Sequence, residues 1–82
     1  MGLEIVELVI HFEEEFGVEL PDSEAGNLTT PGKFVDYIVA KKPSLVRADV
    51  AARVKTIIIT QLGLDGRDYS EDAELIRDLG AG

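Results

Sequence analysis

The side chains able to do chemistry are few and poorly placed for it. His11 is the only histidine, cysteine is absent, and the serines are Ser23, Ser44 and Ser70. Nucleophilic catalysis needs a nucleophile with a base in reach. His11 instead falls on the polar side of a predicted helix beside Glu7 and Glu15, where a lone histidine is ordinarily a solvated surface group. The abundant acids prompt a test for calcium. In Asp65-Gly66-Arg67-Asp68-Tyr69-Ser70-Glu71-Asp72, Arg67 stands where a ligand is required and the glycine comes too early for an EF-hand. Glu13-Glu14-Glu15 offers only weak, unspecific screening of divalent ions, so no metal site is expected. The glycines are scattered at predicted helix ends, which leaves no phosphate-cradling loop. These residues argue against an enzyme.

Charge is the stronger signal. The net charge is −8, and residues 1–40 carry nine acids against Lys33 alone, whereas residues 41–82 carry seven of each sign. Nucleic acid binding rests on neutralising phosphates with Lys and Arg, so this distribution disfavours it. It favours partners with a basic patch, reached through salt-sensitive steering, unless the surface is merely solubilising.

The element that must position these charges is a helix over residues 3–16. Ile5, Leu8, Val9, Phe12 and Phe16 recur at i, i+3, i+4, i+7 and share one face. Glu4, Glu7, Glu13, Glu14 and Glu15 fill the polar arc. Val6 and Ile10 form a second apolar line beside the carboxylates: either a contact for something outside the domain, or one edge of a wide buried face.

The rest reads as further helix. Gly17 is placed to stop the first helix, and Val18-Glu19-Leu20-Pro21 reads as extended chain. Asp22 or Ser23 caps a short turn through Ala25. Leu28 pins the loop that follows. Thr30 caps and Pro31 opens a helix that runs to about Ala40. Pro43-Ser44 breaks the chain, so residues 41–47 read as a linker. Val50, Val54, Ile57, Ile58, Gln61 and Leu62 give a third long helix from Ala48 or Asp49 to Gly63. Ser70 caps a short helical turn through Ile76, and residues 78–82 read as a small-residue tail. The fold class is all-α, a single small domain built as a four-helix bundle of three main helices plus short helical turns. The absence of cysteine, of a signal peptide and of a membrane-length apolar run fits a cytoplasmic protein with no membrane partner.

Two blocks of residues resemble the acyl carrier proteins of bacterial fatty-acid and polyketide synthesis. Residues 3–16, then Leu20-Pro21-Asp22, Thr29-Thr30 and Val35-Asp36-Tyr37-Ile38, are similar to that family's second half. Arg53-Val54-Lys55, Ile57-Ile58, Gln61-Leu62-Gly63 and Asp78-Leu79-Gly80-Ala81 are similar to its first half. The resemblance implies an acyl-carrier-like four-helix bundle in which residues 1–40 correspond to the C-terminal half and 48–82 to the N-terminal half. The two are joined through 41–47, the pattern of a circular permutation. Met1-Gly2 suggests an engineered chain, either monomeric or an intertwined dimer.

The family carries 4′-phosphopantetheine on a serine at the start of its recognition helix. Here Gly82 and Gly2 flank the place of that serine, so no cofactor is expected on this chain. The resemblance carries over a docking surface instead. Leu3, Glu4, Val6, Glu7, Ile10, Glu13, Glu14 and Asp22 match positions that meet basic patches on acyl-chain enzymes and on the pantetheinyl transferase. Ile5, Leu8, Val9, Phe12, Phe16, Leu28, Ile38, Val54, Ile57, Ile58, Leu62 and Leu75 match core positions, several around the space that shelters an acyl chain. Phe12 is bulkier than the family's usual aliphatic residue there. The competing reading is an acidic helical interaction module or folding scaffold with no carrier role.

Overall fold

In the computed structural model, which describes residues 3–80, the chain forms four helices: α1 (Leu3–Phe16), α2 (Asp22–Ala25), α3 (Pro31–Lys41) and α4 (Arg47–Leu62). No strand occurs among the described residues. The architecture is all-helical, with α4 packed against both α3 and α1 of the same chain.

The helix boundaries have local causes. Gly17 adopts φ +64°, a left-handed conformation that costs a residue with a Cβ but not glycine, and its amide closes on Glu13 O at 2.9 Å. Gly63 does the same for α4 at φ +67°. There the Leu64 amide reaches back to Ile59 O at 3.1 Å, the long bond of a Schellman ending. At α3, Thr30 Oγ1 accepts the Lys33 amide at 3.3 Å and Pro31 takes the first helical position, where a missing N–H costs nothing.

Three local expectations are corrected. α2 is preceded by Pro21 and has no side-chain cap; Asp22 is its first helical residue. α4 begins at Arg47 and α3 ends at Lys41, so the connection is residues 42–46, folded back by a bond from the Leu45 amide to Lys42 O. No helical turn follows Ser70. Its Oγ accepts the Asp72 amide at 3.2 Å, and this local alternative to a helix leaves residues 70–79 as linked turns.

The core is one cluster. Leu8 and Phe12 of α1, Phe34 and Ile38 of α3, Val54 and Ile58 of α4, and Leu75 are all fully buried. Phe12 and Phe34 lie with ring centroids 5.0 Å apart at an interplanar tilt of 49°, within the range in which aromatic pairs add to simple burial. The bulk of Phe12 therefore fills space inside the bundle. Leu28, Ile57 and Leu62 pack on this cluster only half-buried. Leu79 goes the other way: expected in a loose tail, it is 4% exposed.

Candidate docking face and adjoining cleft

α1 places its acids and its second apolar line by helical geometry alone. Val6 is 39% and Ile10 45% exposed, although the neighbouring Ile5 and Val9 are buried. With Glu13, Leu20, Pro21 and Asp22, Val6 and Ile10 line a shallow depression of about 400 Å³ between α1 and the start of α2. Four of the sequence-predicted contact residues are thus brought together: Val6, Ile10, Glu13 and Asp22.

The others are not in that depression. Glu7 faces α4, where its Oε2 accepts Gln61 Nε2 at 3.0 Å. With His11, Thr56 and Thr60 it borders a separate groove. Glu4 is half-buried in the first turn and Glu14 exposed in the last. The side chain of Leu3, and Gly2 and Gly82, lie outside the described residues.

The electrostatics of the last turn are unusual. Glu13, Glu14 and Glu15 stand at the negative end of the helix dipole, where an acid costs roughly 0.3–1 kcal/mol. Glu15 is compensated by Arg53 of α4, at 3.3 Å. Glu13 is compensated by the Leu20 amide, which donates to its Oε2 at 2.9 Å. Glu14 forms no ion pair or side-chain hydrogen bond among the described residues. Fold stability gives no reason for an acid there.

Behind the face, α2 is tied to α3 by Tyr37, whose hydroxyl donates to Glu24 Oε2. That bond, then desolvation, pushes the Tyr37 phenol up to about 12. At the start of α1 a third concavity opens, a cleft of about 300 Å³. Ile5, Ala25, Leu28, Thr29 and residues 74–77 line it. Sequence reasoning named Ile5, Leu28 and Leu75 as core positions but gave no role to Ile76, which is 58% exposed and lines this cleft. No periodicity marks that residue.

Among the described residues no group of three or more His, Cys, Asp or Glu side chains is placed to hold a metal, and no helix is long and apolar enough to cross a membrane.

Comparison with known proteins finds acyl carrier proteins among its partial matches. The chain is 51% identical over 38 residues to the acyl carrier protein of Rubrobacter xylanophilus, a match covering 46% of this chain and 47% of that protein. It is 54% identical over 44 residues to the acyl carrier protein of Cyanidioschyzon merolae, covering 54% and 48%. The chain therefore spans about half the length of the curated relatives it matches. No family model matches, and no solved structure does.

Proposed function

We propose that this acyl-carrier-like chain is a docking module for enzymes of acyl-chain synthesis, and that it does not carry the family's prosthetic arm. The single observation that carries the docking reading is the depression in which exposed Val6 and Ile10 lie beside Glu13 and Asp22. Apolar residues ringed by carboxylates suit a partner that offers a greasy contact inside a basic rim. The acids steer the encounter and the apolar pair supplies burial. The pantetheinyl transferase and acyl-chain synthases are the partners proposed, in the cytoplasm, with a single chain as the docking unit.

The arm itself does not fit the residues present. A phosphopantetheine ester needs a serine hydroxyl at the head of the recognition helix. Ser23 lies within α2, Ser44 in the α3–α4 connection, and Ser70 in the turn after the Gly66–Asp68 3-10 helix. None is near the head of α1 in sequence. The swapped order of the two blocks is part of the same reading. Matches that each extend over about half of a relative are what a collinear comparison returns from exchanged halves. The five-residue connection from α3 to α4, within one chain, gives the rejoined ends a short path.

Two measurements test this. Incubation with coenzyme A and a pantetheinyl transferase should leave the intact mass unchanged; a gain of about 340 Da, the mass of one covalently attached arm, would refute the no-arm reading. Binding to an acyl-carrier-dependent synthase should be detectable and weaken as salt rises. No binding at low salt would instead favour an acidic module or folding scaffold with no carrier role.

A further inference from the structure

We propose that Glu13 is a positioning residue of the docking face: its carboxylate holds the Leu20 amide and so sets Pro21 and Asp22 in the lining of the depression, and it does not itself pair with a partner's base. The inference rests on the docking reading and deepens it. The family resemblance places Glu13 among the residues that meet a basic patch. In the structure its Oε2 is already engaged, accepting the Leu20 amide at 2.9 Å. Its backbone carbonyl accepts the Gly17 amide, also at 2.9 Å. One residue therefore braces both ends of the turn that leaves α1.

The part of the lining outside α1 is Leu20, Pro21 and Asp22, and little else fixes it. Residues 18–21 form no regular structure. α2 has only four residues and no side-chain cap. Pro21 has no N–H, so the Leu20 amide is the last backbone donor before α2. Beyond it the path is set. The proline ring holds Pro21 at φ −59°, and Pro21 O accepts the Glu24 and Ala25 amides at 2.9 and 2.8 Å. Burial of the Leu20 side chain seats the segment but leaves its peptide plane free to turn. The bond from Glu13 fixes that plane, and with it the direction in which Asp22 is presented beside Val6 and Ile10. An acid in the last turn of a helix opposes the dipole, and this bond accounts for one at residue 13 without any partner.

Three chains test this: the parent, Glu13→Gln, which keeps an oxygen for the Leu20 amide but drops the charge, and Glu13→Ala, which drops both. Surface plasmon resonance against an acyl-carrier-dependent synthase reads dissociation, the rate that loss of a direct ion pair raises. A variant that is merely less stable presents fewer competent molecules, but those that bind leave at the parental rate. Dissociation of Glu13→Gln should stay within about twofold of the parent, and that of Glu13→Ala should be about fivefold faster or more. Equal acceleration in both would make Glu13 a direct partner contact and overturn the proposal, as would parental dissociation in both. No binding by the parent at low salt would instead sink the docking reading, and the proposal with it. Amide exchange in the free chains decides the matter if Glu13→Ala folds poorly. The Leu20 amide should be protected about tenfold or more above that of Glu19, in the parent and in Glu13→Gln alike. Leu20 protected no better than Glu19 in either chain would overturn the proposal.

Discussion

The Glu13 carboxylate accepts the Leu20 backbone amide at 2.9 Å, across the turn that carries the chain out of α1. An acid in the last turn of a helix opposes the dipole, but here it satisfies a donor on the extended segment leading to Pro21. Leu20 is 3% exposed, so its amide is held where water is scarce. Glu13 thus serves the fold with one oxygen and faces the docking depression. Glu14, one residue on, does neither structural job.

Glu13→Ala should therefore destabilise the chain by about 1–2 kcal/mol, the cost of leaving a buried donor unpaired. Glu13→Gln keeps an acceptor and should cost less, and Glu14→Gln should fall within about 0.5 kcal/mol of the parent. Urea midpoints at constant slope check this ordering. A Glu14→Gln variant as unstable as Glu13→Ala would mean that the two acids share one structural role.

Docking should separate from stability on the same helix. Ile10→Ala removes an exposed side chain, so its urea midpoint should stay near that of the parent. Its affinity for an acyl-carrier-dependent synthase should fall several-fold, since apolar contacts at the centre of an interface carry much of its energy. Glu14→Gln should lower the salt dependence of the association rate and leave dissociation nearly unchanged. A salt series by surface plasmon resonance reads both effects.

Alkaline titration probes the α2–α3 link. Tyr37 is held at about 12 first by its bond to Glu24, and Tyr69 reaches about 12 chiefly by burial, then through Glu71. A raised phenol favours the neutral, folded form. The stability it contributes is complete below the unfolded value near 10 and is lost as pH rises through about 12. Tyrosinate absorbance should therefore develop well above the free-phenol range. In Glu24→Gln, one of the two tyrosines should shift back toward it while the other stays.

What the sequence made legible was whatever a short stretch decides for itself. α1 announces its buried face by period and its end by Gly17, and α3 announces its start by Thr30-Pro31. The spacing sets Val6 and Ile10 apart from Ile5 and Val9 but leaves open whether they face outward or edge a wide buried face; their exposure of 39% and 45% decides for outward. Contacts made across the chain were hidden. Glu7 turns to Gln61 only because α4 lies there, and no spacing within α1 reveals it. The segment after Gly63 was least legible, because its shape is set by Thr29 and Gly32, some forty residues earlier. A Ser70 cap seen in isolation invites a helix, but its Oγ instead accepts the Asp72 amide in a local turn.

Leu79 tests that last point. Judged by its neighbours Gly80, Ala81 and Gly82 it belongs to a small-residue tail, and removing its side chain would cost nothing. In the structure it is 4% exposed, and its amide bonds to Glu74 O at 3.1 Å. Truncating a buried leucine typically costs 2–5 kcal/mol; a site near a segment's end, able to collapse on the gap, belongs at the low end, about 2 kcal/mol. Ile76→Ala, removing an equally large side chain that is 58% exposed, should cost well under 1 kcal/mol. Thermal or urea unfolding of the two variants side by side decides whether burial, rather than nearness to Gly82, governs this segment. Equal and negligible effects would show that Leu79 is no part of the core.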